Sequence, residues 1–525
     1  MLNKPWREQT WRDIDQPWDI IVIGGGITGA GIFNMAAKKG LKVLIVEAKD
    51  FAFGTSSRSS KLVHGGIRYL RNRQFDVVRE SVNERERLLR ESDGLIAPLA
   101  FIFPSYESHS HDTQIMKLGV TLYDMMGLKW QHKNRNKSQV MQTLPGLNNE
   151  QLVGGLEYYD AQVDDSQLVL RVVMDGVRFG GNAINYARVI KLRKSKIGQV
   201  EGVILQDETG SLQPSQVEVQ SRVVINATGP WSDKLRENVN GLPKLRRLRG
   251  SHLIFSQEKL PIKAAVTLLH PRDNRAMFAI PWENRTIIGT TDLDHNLHEE
   301  ETRITQSELD YILEATQHVF PKFKISEEDI LSTFSGLRPV INTNAPTPSL
   351  ESRAHCIWEE EGLISVAGGK LTIFRVMAAD VLNFCSEKLP QRPKFHPHTP
   401  CFVHPRPPDY QTLNKSVWLL MAGRLGKDVN AFFENADPDL LHPITPMPEL
   451  WAELVWAAEN EAVVHLDDLL LRRVRFGLLM PNGGLDDIKR IRGLVQDPLG
   501  WSDETWSAEV IRYETLWREN YFLPS

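Results

Sequence analysis

The first fifty residues contain two apolar runs separated by a helical segment, a pattern typical of a parallel sheet. Residues 20–23 and 41–46 are short and, apart from Lys42, apolar, and residues 30–39 between them have the composition of a helix. Apolar runs of this length, bounded by turn residues, are typical of strands that are buried on both faces. The pattern therefore predicts a strand–helix–strand unit that ends at an acidic residue, Glu47.

The following segments predict a mixture of helices and strands. Helices are predicted at 74–90, 168–177 and 307–320, and strands at 182–190, 201–205 and 217–227. We interpret Asp164 and Asp165 as the N-terminal cap and the dipole partners of the helix that starts at residue 168. Between 248 and 292 short strands alternate with turns at 273–274 and 283–284, which predicts an antiparallel sheet inserted into the α/β framework.

Both ends of the chain differ in character from this core. Seven prolines between residues 390 and 408 predict an extended linker, and helical spacing of apolar residues predicts a helical domain at 409–525. Residues 1–18 carry Trp6, Trp11 and Trp18 among charged residues. We predict an N-terminal arm packed on its own domain, and interfacial anchoring at a membrane is the alternative.

Three arginines in the predicted helical domain, Arg472, Arg473 and Arg475, lie close together in the sequence. An ordinary solvated helix face is the favoured interpretation. A basic patch for acidic lipid or for a partner protein is the alternative.

Composition excludes several classes of function. Lys plus Arg total 62 and Asp plus Glu total 66, so the net charge of −4 gives no electrostatic case for nucleic acid. The three cysteines form no C-x-x-C pair, so we expect neither a disulfide framework nor a metal site, and a reducing, intracellular setting is the default. No apolar run approaches the ~18 residues that cross a bilayer, and the N-terminus lacks the apolar region of a signal peptide.

The turn inside the strand–helix–strand unit carries specific chemistry. Gly24, Gly26 and Gly29 fit the pattern G-x-G-x-x-G, in which backbone N–H groups at a helix N-terminus approach a pyrophosphate. Glu47, at the tip of the second strand, is placed to bind a ribose hydroxyl. The unit predicts a bound dinucleotide without distinguishing FAD from NAD. A glycine-rich turn in an ordinary α/β sheet is the alternative.

The segment from residue 51 to residue 70 is rich in hydrogen-bond donors. It contains a hydroxyl cluster around Thr55, Ser56 and Ser57, followed by the donors Lys61, His64 and Arg68. Hydroxyls beside a phosphate-binding turn suit a second contact with a diphosphate, and Gly65-Gly66 permits close approach to a planar ring. A polar surface loop is the alternative.

Together, the stretches GGGITGAGI and TSSRSSKLVHGGIRYL closely resemble the bacterial, aerobic type of FAD-dependent glycerol-3-phosphate dehydrogenase, a family of the D-amino-acid-oxidase-like (DAO) flavoproteins. The resemblance implies an α/β fold in which an FAD-binding Rossmann-like domain of the glutathione-reductase/DAO type is interleaved with an antiparallel-sheet substrate domain, followed by a C-terminal helical domain. The core is expected at 19–380 and the linker at 381–408. The expected FAD-binding parts are about 19–75, 155–232 and 334–380, and the substrate-domain parts about 76–154 and 233–333.

The resemblance also implies the site residues. The expected catalytic residues are Arg68, His252, Arg338, Arg353 and Lys370. The expected FAD contacts are Gly24, Gly26, Ile27, Thr28, Gly29, Glu47, Thr55, Ser56, Ser57, Lys61, Leu62, His64, Gly66, Val189, Thr228, Gly229, Gly336, Gly369, Leu371 and Thr372. In these roles His252 accepts the substrate proton, Arg338 and Arg68 contact the substrate, and Lys370 binds substrate or stabilises charge at the flavin. Apart from its motif, a lone histidine at a strand start is more often a structural hydrogen-bonding residue.

The function implied by the resemblance is oxidation of sn-glycerol 3-phosphate to dihydroxyacetone phosphate by hydride transfer to FAD, with the electrons passed to a quinone. The implied location is cytoplasmic, with peripheral contact at the inner (plasma) membrane, and a homodimer is a further expectation. Two alternatives stay open. The first is an oxidase that uses O₂, acting on glycerol 3-phosphate or on a related substrate, and the second is a flavin-binding regulatory protein without turnover.

Overall fold

The computed structural model describes residues 2–67, 75–107, 110–127, 131–296, 302–348, 351–405 and 414–524. The strands within these ranges are β1 (Trp18–Ile23), β2 (Val43–Val46), β3 (Leu62–Val63), β4 (Ile96–Tyr106), β5 (Lys133–Asn136), β6 (Leu152–Val163), β7 (Asn182–Ile184), β8 (Ala187–Lys194), β9 (Val200–Asp207), β10 (Gln216–Asn226), β11 (Leu245–Ser256), β12 (Ala265–Leu269), β13 (Ala276–Trp282), β14 (Arg285–Gly289), β15 (Leu293–Asp294), β16 (Ile330–Ile341), β17 (His355–Glu360) and β18 (Leu363–Gly368).

The α-helices in the same ranges are α1 (Lys4–Arg12), α2 (Ile27–Lys38), α3 (Phe75–Glu91), α4 (Ser110–Met126), α5 (Lys137–Thr143), α6 (Asp165–Arg178), α7 (Ser232–Arg236), α8 (Gln306–Val319), α9 (Phe374–Phe384), α10 (Lys415–Leu425), α11 (Val429–Asn435), α12 (Trp451–Asn460), α13 (Leu466–Asp468), α14 (Phe476–Leu479), α15 (Ile488–Leu499) and α16 (Asp503–Asn520). None of the helices in these ranges is long and apolar enough to cross a membrane.

The first sheet contains the predicted strand–helix–strand unit at its centre. Its strand order is β17-β18-β10-β1-β2-β7, and β8 and β9 continue from β10. The pairs of β1 with β2 and β10, of β2 with β7 and of β10 with β18 are all parallel. Helices α2, α6 and α9 cover one face of this sheet through a shared apolar core. The other face is buried under α1 and the β8–β9 hairpin in a separate apolar cluster, so both faces of the parallel strands are covered, as the apolar runs predict.

The second sheet is largely antiparallel and forms the other layer of the molecule. Its order is β15-β11-β14-β13-β12-β4-β6-β3, with β16 paired to β11 and β5 paired to β6. Helix α8 packs against this sheet in a second apolar core. The long strands β6 and β16 lie here, although parts of both fall inside segments assigned from the sequence to FAD binding. Both strands carry the chain from one layer into the other.

Some predicted elements differ from the observed ones. The strand predicted at 182–190 is divided into β7 and β8 because Tyr186 has a φ of +50°, which breaks an extended run. Residues 390–405 contain no helix or strand, yet Phe395, Cys401 and Phe402 are buried against the first core. This part of the proline-rich segment is therefore packed on the protein surface.

The N-terminal arm packs on the first sheet, in agreement with the predicted packing. Trp11 and Trp18 are buried in the cluster that covers β1 and β10, and the Trp11 indole N–H donates to the Pro214 carbonyl (2.9 Å). Helix α1 is capped by Asn3, whose side chain accepts from the Trp6 N–H.

The C-terminal helices share an apolar core with the second sheet, because Ile254, Trp282, Ile287 and Phe334 pack among their side chains.

The prediction of a solvated or basic surface for the three arginines of the C-terminal domain is wrong. Arg472, Arg473 and Arg475 are each 1% exposed. They lie in the π-helical turn Leu469–Arg473 and directly after it, facing buried carboxylates of the core. Buried charges require partners, and these partners lie some three to four hundred residues earlier in the chain.

Candidate active site

A cavity of about 880 Å³ runs between the two sheets. It begins at the carboxyl ends of β1 and β2, where ligands bind in open α/β sheets, and continues to the strands β11 and β16 of the second sheet. A cavity of this size accommodates a large cofactor together with a small substrate.

The glycine turn forms one end of the cavity. Gly24 has a φ of +112°, and a Cβ placed on Gly29 would lie 1.9 Å from the Gly24 carbonyl oxygen, so only glycine fits this close approach. Gly26 is the N-cap of α2 and has no side chain to occupy the helix end. The positive end of the α2 dipole therefore opens on the cavity, which suits a phosphate group.

Glu47 lies at the end of β2 beside this turn. Its carboxylate accepts hydrogen bonds from the backbone N–H of Gly25 (2.7 Å) and of Lys49 (2.9 Å), which fix its orientation toward the cavity. Burial raises the pKa of Glu47, and the two backbone hydrogen bonds act in the opposite direction. Val189 of β8 lines the same end. The position fits the predicted contact of an acid with a ribose hydroxyl.

The hydroxyl-rich segment lies over the helix end. Ser56 Oγ accepts from the Ile27 N–H (3.0 Å), and Thr55 donates to the Leu337 carbonyl. Ser57 and Lys61 are not among the described residues that line the cavity, because the Lys61 ammonium is turned inward to the Ser57 carbonyl (2.6 Å) and to Asp165 (2.7 Å). Burial lowers the pKa of Lys61 to about 8, with Asp165 opposing that shift.

A second glycine pair closes the cavity from the other side. Gly368, the last residue of β18, and Gly369 after it have φ values of +84° and +73°, and Leu371 and Thr372 follow in a helical turn. Thr372 Oγ1 bridges to the backbone of His64, at 3.2 Å from both its N–H and its carbonyl oxygen. The two flavin-facing motifs predicted from the sequence are thus in direct contact.

The far end of the cavity is positively charged. The Arg338 guanidinium donates to Asp292 Oδ1 (2.9 Å) and to Thr290 Oγ1 (2.9 Å), and Arg353 Nη2 lies 3.8 Å from Asp292 Oδ2. Lys370 lines the same space. Among the described residues, Asp292 is the carboxylate that contacts both arginines and orients them, and three cationic side chains at this end of the cavity suit an anionic substrate group.

His252 lies beside this cluster, on β11. Its Nε2 is 2.8 Å from Ser60 Oγ, and its ring stacks on Phe334 at a centroid distance of 4.4 Å. Burial, together with the positive charges of Arg338 and Lys61, holds the pKa of His252 well below its usual value. The imidazole is therefore neutral near pH 7, as a proton acceptor must be.

Two glycines make room for these side chains. A Cβ on Gly250 would lie 2.4 Å from Arg338 Nη2, and a Cβ on Gly289 would lie 2.4 Å from the His252 ring. Behind them, Glu308 of α8 accepts from the hydroxyls of Ser251 (2.9 Å) and Thr291 (2.6 Å). The ends of β11 and β14 are thereby fixed relative to each other.

The structure brings most of the predicted site residues together. The predicted residues that line the cavity are Gly24, Gly26, Ile27, Thr28, Glu47, Thr55, Ser56, Leu62, His64, Val189, Thr228, Gly229, His252, Gly336, Arg338, Arg353, Gly369, Lys370, Leu371 and Thr372. Gly29, Ser57, Lys61 and Gly66 lie behind that lining, and Arg68 is outside the described residues.

Sequence reasoning placed Ser60 only in the hydroxyl cluster beside the phosphate-binding turn, and it assigned no role to Thr290 or Asp292. Ser60 contacts His252, while Thr290 and Asp292 hold Arg338. The signal for the last two was present in the stretch GTTD, which closes β14.

The glycine cradle, the open helix end and Glu47 fit a dinucleotide, and the paired glycines after β18 fit the close approach of a flat ring. The cavity therefore fits FAD. Comparison with known proteins agrees. Residues 19–375 match the family of FAD dependent oxidoreductases (DAO), and residues 405–506 match the C-terminal domain of alpha-glycerophosphate oxidase.

Individual relatives support the same assignment. The chain is 33% identical to the aerobic glycerol-3-phosphate dehydrogenase of Staphylococcus haemolyticus over 516 residues, covering 92% of this chain and 91% of the relative. It is also 33% identical to glycerol-3-phosphate dehydrogenase 2 of Mycobacterium bovis over 537 residues, covering 98% and 90%.

Solved structures resemble it as well. The glycerol-3-phosphate dehydrogenase from Bacillus halodurans complexed with FAD superposes with a TM-score of 0.78 at 25% identity, covering 99% of this chain and 98% of that one. The FAD-bound L-alpha-glycerophosphate oxidase from Mycoplasma pneumoniae shares the fold, with a TM-score of 0.57 at 15% identity, covering 73% and 98%. The chain uses FAD as its cofactor and belongs to the DAO family of FAD-dependent oxidoreductases, and within it to the glycerol-3-phosphate dehydrogenase and oxidase group.

Proposed function

We propose that this protein oxidises sn-glycerol 3-phosphate to dihydroxyacetone phosphate. The observation that carries the proposal is the location of Arg338, Arg353 and Lys370 beside a buried, neutral histidine in one end of the FAD cavity. A phosphate monoester carries about −1.5 to −2 charges at pH 7. Arginines held in a fixed orientation bind such a group through paired hydrogen bonds.

FAD and the residues of the cavity each have a separate role in the oxidation of an alcohol. FAD, when bound, supplies the acceptor for the two electrons that leave the alcohol carbon as hydride. Arg338, Arg353 and Lys370 hold the phosphate, which orients the alcohol carbon within the cavity. His252 accepts the hydroxyl proton, and its hydrogen bond with Ser60 fixes the ring in place.

Anaerobic titration of the purified flavoprotein with glycerol 3-phosphate tests this function. We expect the flavin absorbance to bleach with glycerol 3-phosphate at low concentration, and to bleach weakly with glycerol, which lacks the phosphate. Bleaching only by an amino acid would contradict the substrate assignment. A flavin that no phosphorylated polyol bleaches would instead indicate the non-catalytic, flavin-binding regulatory protein.

For the electron acceptor we propose a quinone. The two relatives compared above are both named dehydrogenases. An O₂-using glycerol-3-phosphate oxidase is the second candidate, because residues 405–506 match a domain described from alpha-glycerophosphate oxidase. Turnover with a soluble quinone analogue under argon, compared with peroxide yield in air, separates them. Stoichiometric peroxide at the rate of quinone turnover would favour the oxidase.

The location that we propose is the cytoplasmic face of the plasma membrane, with peripheral contact through α4. Leu118 and Met125 lie seven positions apart, on one face of this helix, and are 64% and 60% exposed. Phe75, at the start of α3, is 47% exposed. Exposed apolar side chains on one face of a helix suit a lipid surface.

Flotation with vesicles of phosphatidylethanolamine and phosphatidylglycerol tests this contact. The double variant Leu118→Glu with Met125→Glu is expected to abolish co-flotation. Ile197→Glu, at an exposed apolar residue in the turn between β8 and β9, is the matched control. Unchanged flotation of the double variant would place the contact elsewhere.

We also propose that the protein is a homodimer, and analytical ultracentrifugation of the holoenzyme tests this.

A further inference from the structure

The three buried arginines of the C-terminal domain reach into the FAD-binding part of the core. Arg473 places both Nη atoms on Asp50, at 2.6 and 2.7 Å, and Arg472 Nε donates to Asp50 Oδ2 at 2.5 Å. Asn185 also donates to Asp50 Oδ1 (3.1 Å). Asp50 is fully buried, so its carboxylate depends on these partners.

Arg475 makes a second contact of the same kind. It donates to Asp164 through Nε (2.9 Å) and Nη2 (2.6 Å), and to Asp165 Oδ1 (2.6 Å). Asp165 in turn accepts from Lys61 Nζ (2.7 Å) and from the N–H and hydroxyl of Ser59 (2.9 and 2.7 Å). Arg475 therefore fixes the carboxylate of Asp165, and Asp165 in turn holds Ser59 and Lys61 at the end of the hydroxyl-rich segment.

Asp50 and Lys61 are the two ends of one segment, residues 50–61, and this segment forms a wall of the FAD cavity. Its residues that line the cavity are Phe53, Gly54, Thr55, Ser56, Arg58, Ser59 and Ser60. It also holds the glycine turn, because the Ala52 N–H donates to the Gly25 carbonyl (3.0 Å) and Ser56 accepts from the Ile27 N–H. A displacement of residues 50–61 would therefore change both the wall and the turn.

A third contact joins the C-terminal tail to the middle of the segment. The Arg58 guanidinium lies 5.3 Å from the centroid of the Tyr521 ring, and the Tyr521 carbonyl accepts from the Thr333 N–H (2.8 Å). The C-terminal domain thus contacts the segment directly at its start and middle, and acts on its end through Asp165.

We propose that Arg472, Arg473 and Arg475 are positioning residues of the FAD site, through which the C-terminal domain fixes residues 50–61 in the conformation that binds the cofactor. None of the three is among the described residues that line the cavity, so each acts through Asp50 or Asp165. The proposal rests on the FAD cavity and is independent of which alcohol is oxidised.

The geometry explains why the turn carries arginine. Two arginines saturate both oxygens of Asp50, and the planar fork of Arg473 matches the carboxylate edge, which lysine cannot do. Each carboxylate is buried, so a misplaced segment would leave a charge without its partner. The docked C-terminal domain therefore strongly favours a single position of residues 50–61.

The test measures FAD affinity and the stabilisation that FAD confers. Arg473→Met removes the fork and leaves Asp50 with Arg472 and Asn185, while Arg473→Lys keeps the charge alone. We expect the Kd for FAD, measured by flavin fluorescence quenching on titrating apoprotein, to rise at least tenfold in Arg473→Met and to a smaller extent in Arg473→Lys.

Arg424→Met is the matched control. Arg424 is a buried arginine of the same domain, paired to Glu453 (2.7 Å), Glu449 (3.2 Å) and Glu283 (3.7 Å), and none of its ion pairs within the described part of the chain involves residues 50–61. It is expected to lower the Tm of apoprotein and holoprotein equally, with an unchanged Kd. In the Arg473 variants the difference between the two Tm values should shrink, because ligand stabilisation follows affinity.

A merely structural role would give the control's result. If Arg473→Met lowers both Tm values in parallel and binds FAD with wild-type affinity, the proposal is wrong. If Arg473→Met does not yield folded protein, Arg473→Lys decides alone, and a wild-type Kd in that variant overturns the proposal.

Discussion

Arg338 offers the most direct test of the phosphate-binding end of the cavity. Its guanidinium is fixed by hydrogen bonds to Asp292, Thr290 and the Thr291 carbonyl (3.2 Å), and the side chain is 25% exposed. Arg338→Ala removes this cation. Arg353 and Arg275 remain 3.8 and 3.9 Å from Asp292, so the carboxylate keeps nearby positive charge and the variant is expected to fold.

The size of the effect follows from the kind of contact that is lost. A hydrogen bond to a charged group contributes about 1.5–3 kcal/mol, which corresponds to a change of roughly 10- to 150-fold. The phosphate does not react, so the loss is of binding that is uniform between ground state and transition state. We therefore expect KM for glycerol 3-phosphate to rise by that factor, with a smaller change in kcat.

Steady-state kinetics with an artificial acceptor give both constants, and comparison with glycerol isolates the phosphate. The preference for glycerol 3-phosphate over glycerol should fall by the same factor in Arg338→Ala, because glycerol lacks the phosphate that makes this contact. Arg275→Ala is the control, since Arg275 approaches the same carboxylate but is not among the described residues that line the cavity. An unchanged KM in Arg338→Ala, or an equal rise in Arg275→Ala, would refute the reasoning.

Three further predictions address the proton acceptor, the packing around it and the buried acids of the C-terminal domain. His252→Gln should slow flavin reduction in stopped-flow experiments while FAD stays bound. In the wild type, the rate of flavin reduction at saturating substrate should stay constant as the pH falls through 6.5, because the pKa of His252 is lowered. A pH–rate profile with a midpoint at or above 6.5 would contradict this. Gly289→Ala should also slow flavin reduction, since its Cβ would lie 2.4 Å from the His252 ring, whereas Gly493→Ala, with no described atom within 4 Å of its added Cβ, should be neutral. Burial raises the pKa of Glu449 to about 8, so the folded state keeps a proton that the unfolded chain loses near pH 4.5. The free energy of unfolding therefore falls as the pH rises between these two values. Glu449→Gln should raise the Tm at pH 8 relative to wild type, and equal Tm values at that pH would exclude deprotonation of Glu449 as a cause of instability.

Secondary-structure elements could be predicted from the sequence where the signal lies among neighbouring residues. The strand–helix–strand unit could be predicted because the apolar runs and the glycine spacing lie within thirty residues, and the helix predicted at 307–320 is observed at Gln306–Val319. A capping box, with Thr305 and Glu308 bonded reciprocally, marks that start. Such signals involve neighbours in the chain, so one sequence reveals them.

The meeting of the site residues could not be predicted from periodicity. His252 lies on β11, Arg338 on β16 and Lys370 after β18, and only the pairing of β11 with β16 brings the first two together. Resemblance to a family implied that the three residues share one site, but it did not give the hydrogen bonds to Ser60 and Asp292. Those contacts depend on where the loops after β14 and before β3 lie in space.

The arginine-rich turn shows why local composition misled. Three arginines among seven residues are typical of a surface, because burial of a charge is unfavourable without a partner. Arg473 and Arg475 bind Asp50, Asp164 and Asp165, each more than three hundred residues away in the chain. Arg472 binds Asp50 as well, together with the nearby Asp467 and Asp468. The sequence around the turn contains the nearby acids, but not the distant ones that pair with Arg473 and Arg475.

The same pairs bear on how the chain is divided. Comparison with families separates residues 19–375 from residues 405–506, as though a cofactor domain were followed by an appended one. The buried charges cross that boundary, with the carboxylates on one side and the guanidinium groups on the other. The apolar core crosses it too, because Trp282 and Phe334 of the second sheet pack with Trp451 and Phe476. Because these ion pairs and this apolar core join the two segments, we expect them to unfold in one transition, and the wall of the FAD cavity to depend on both.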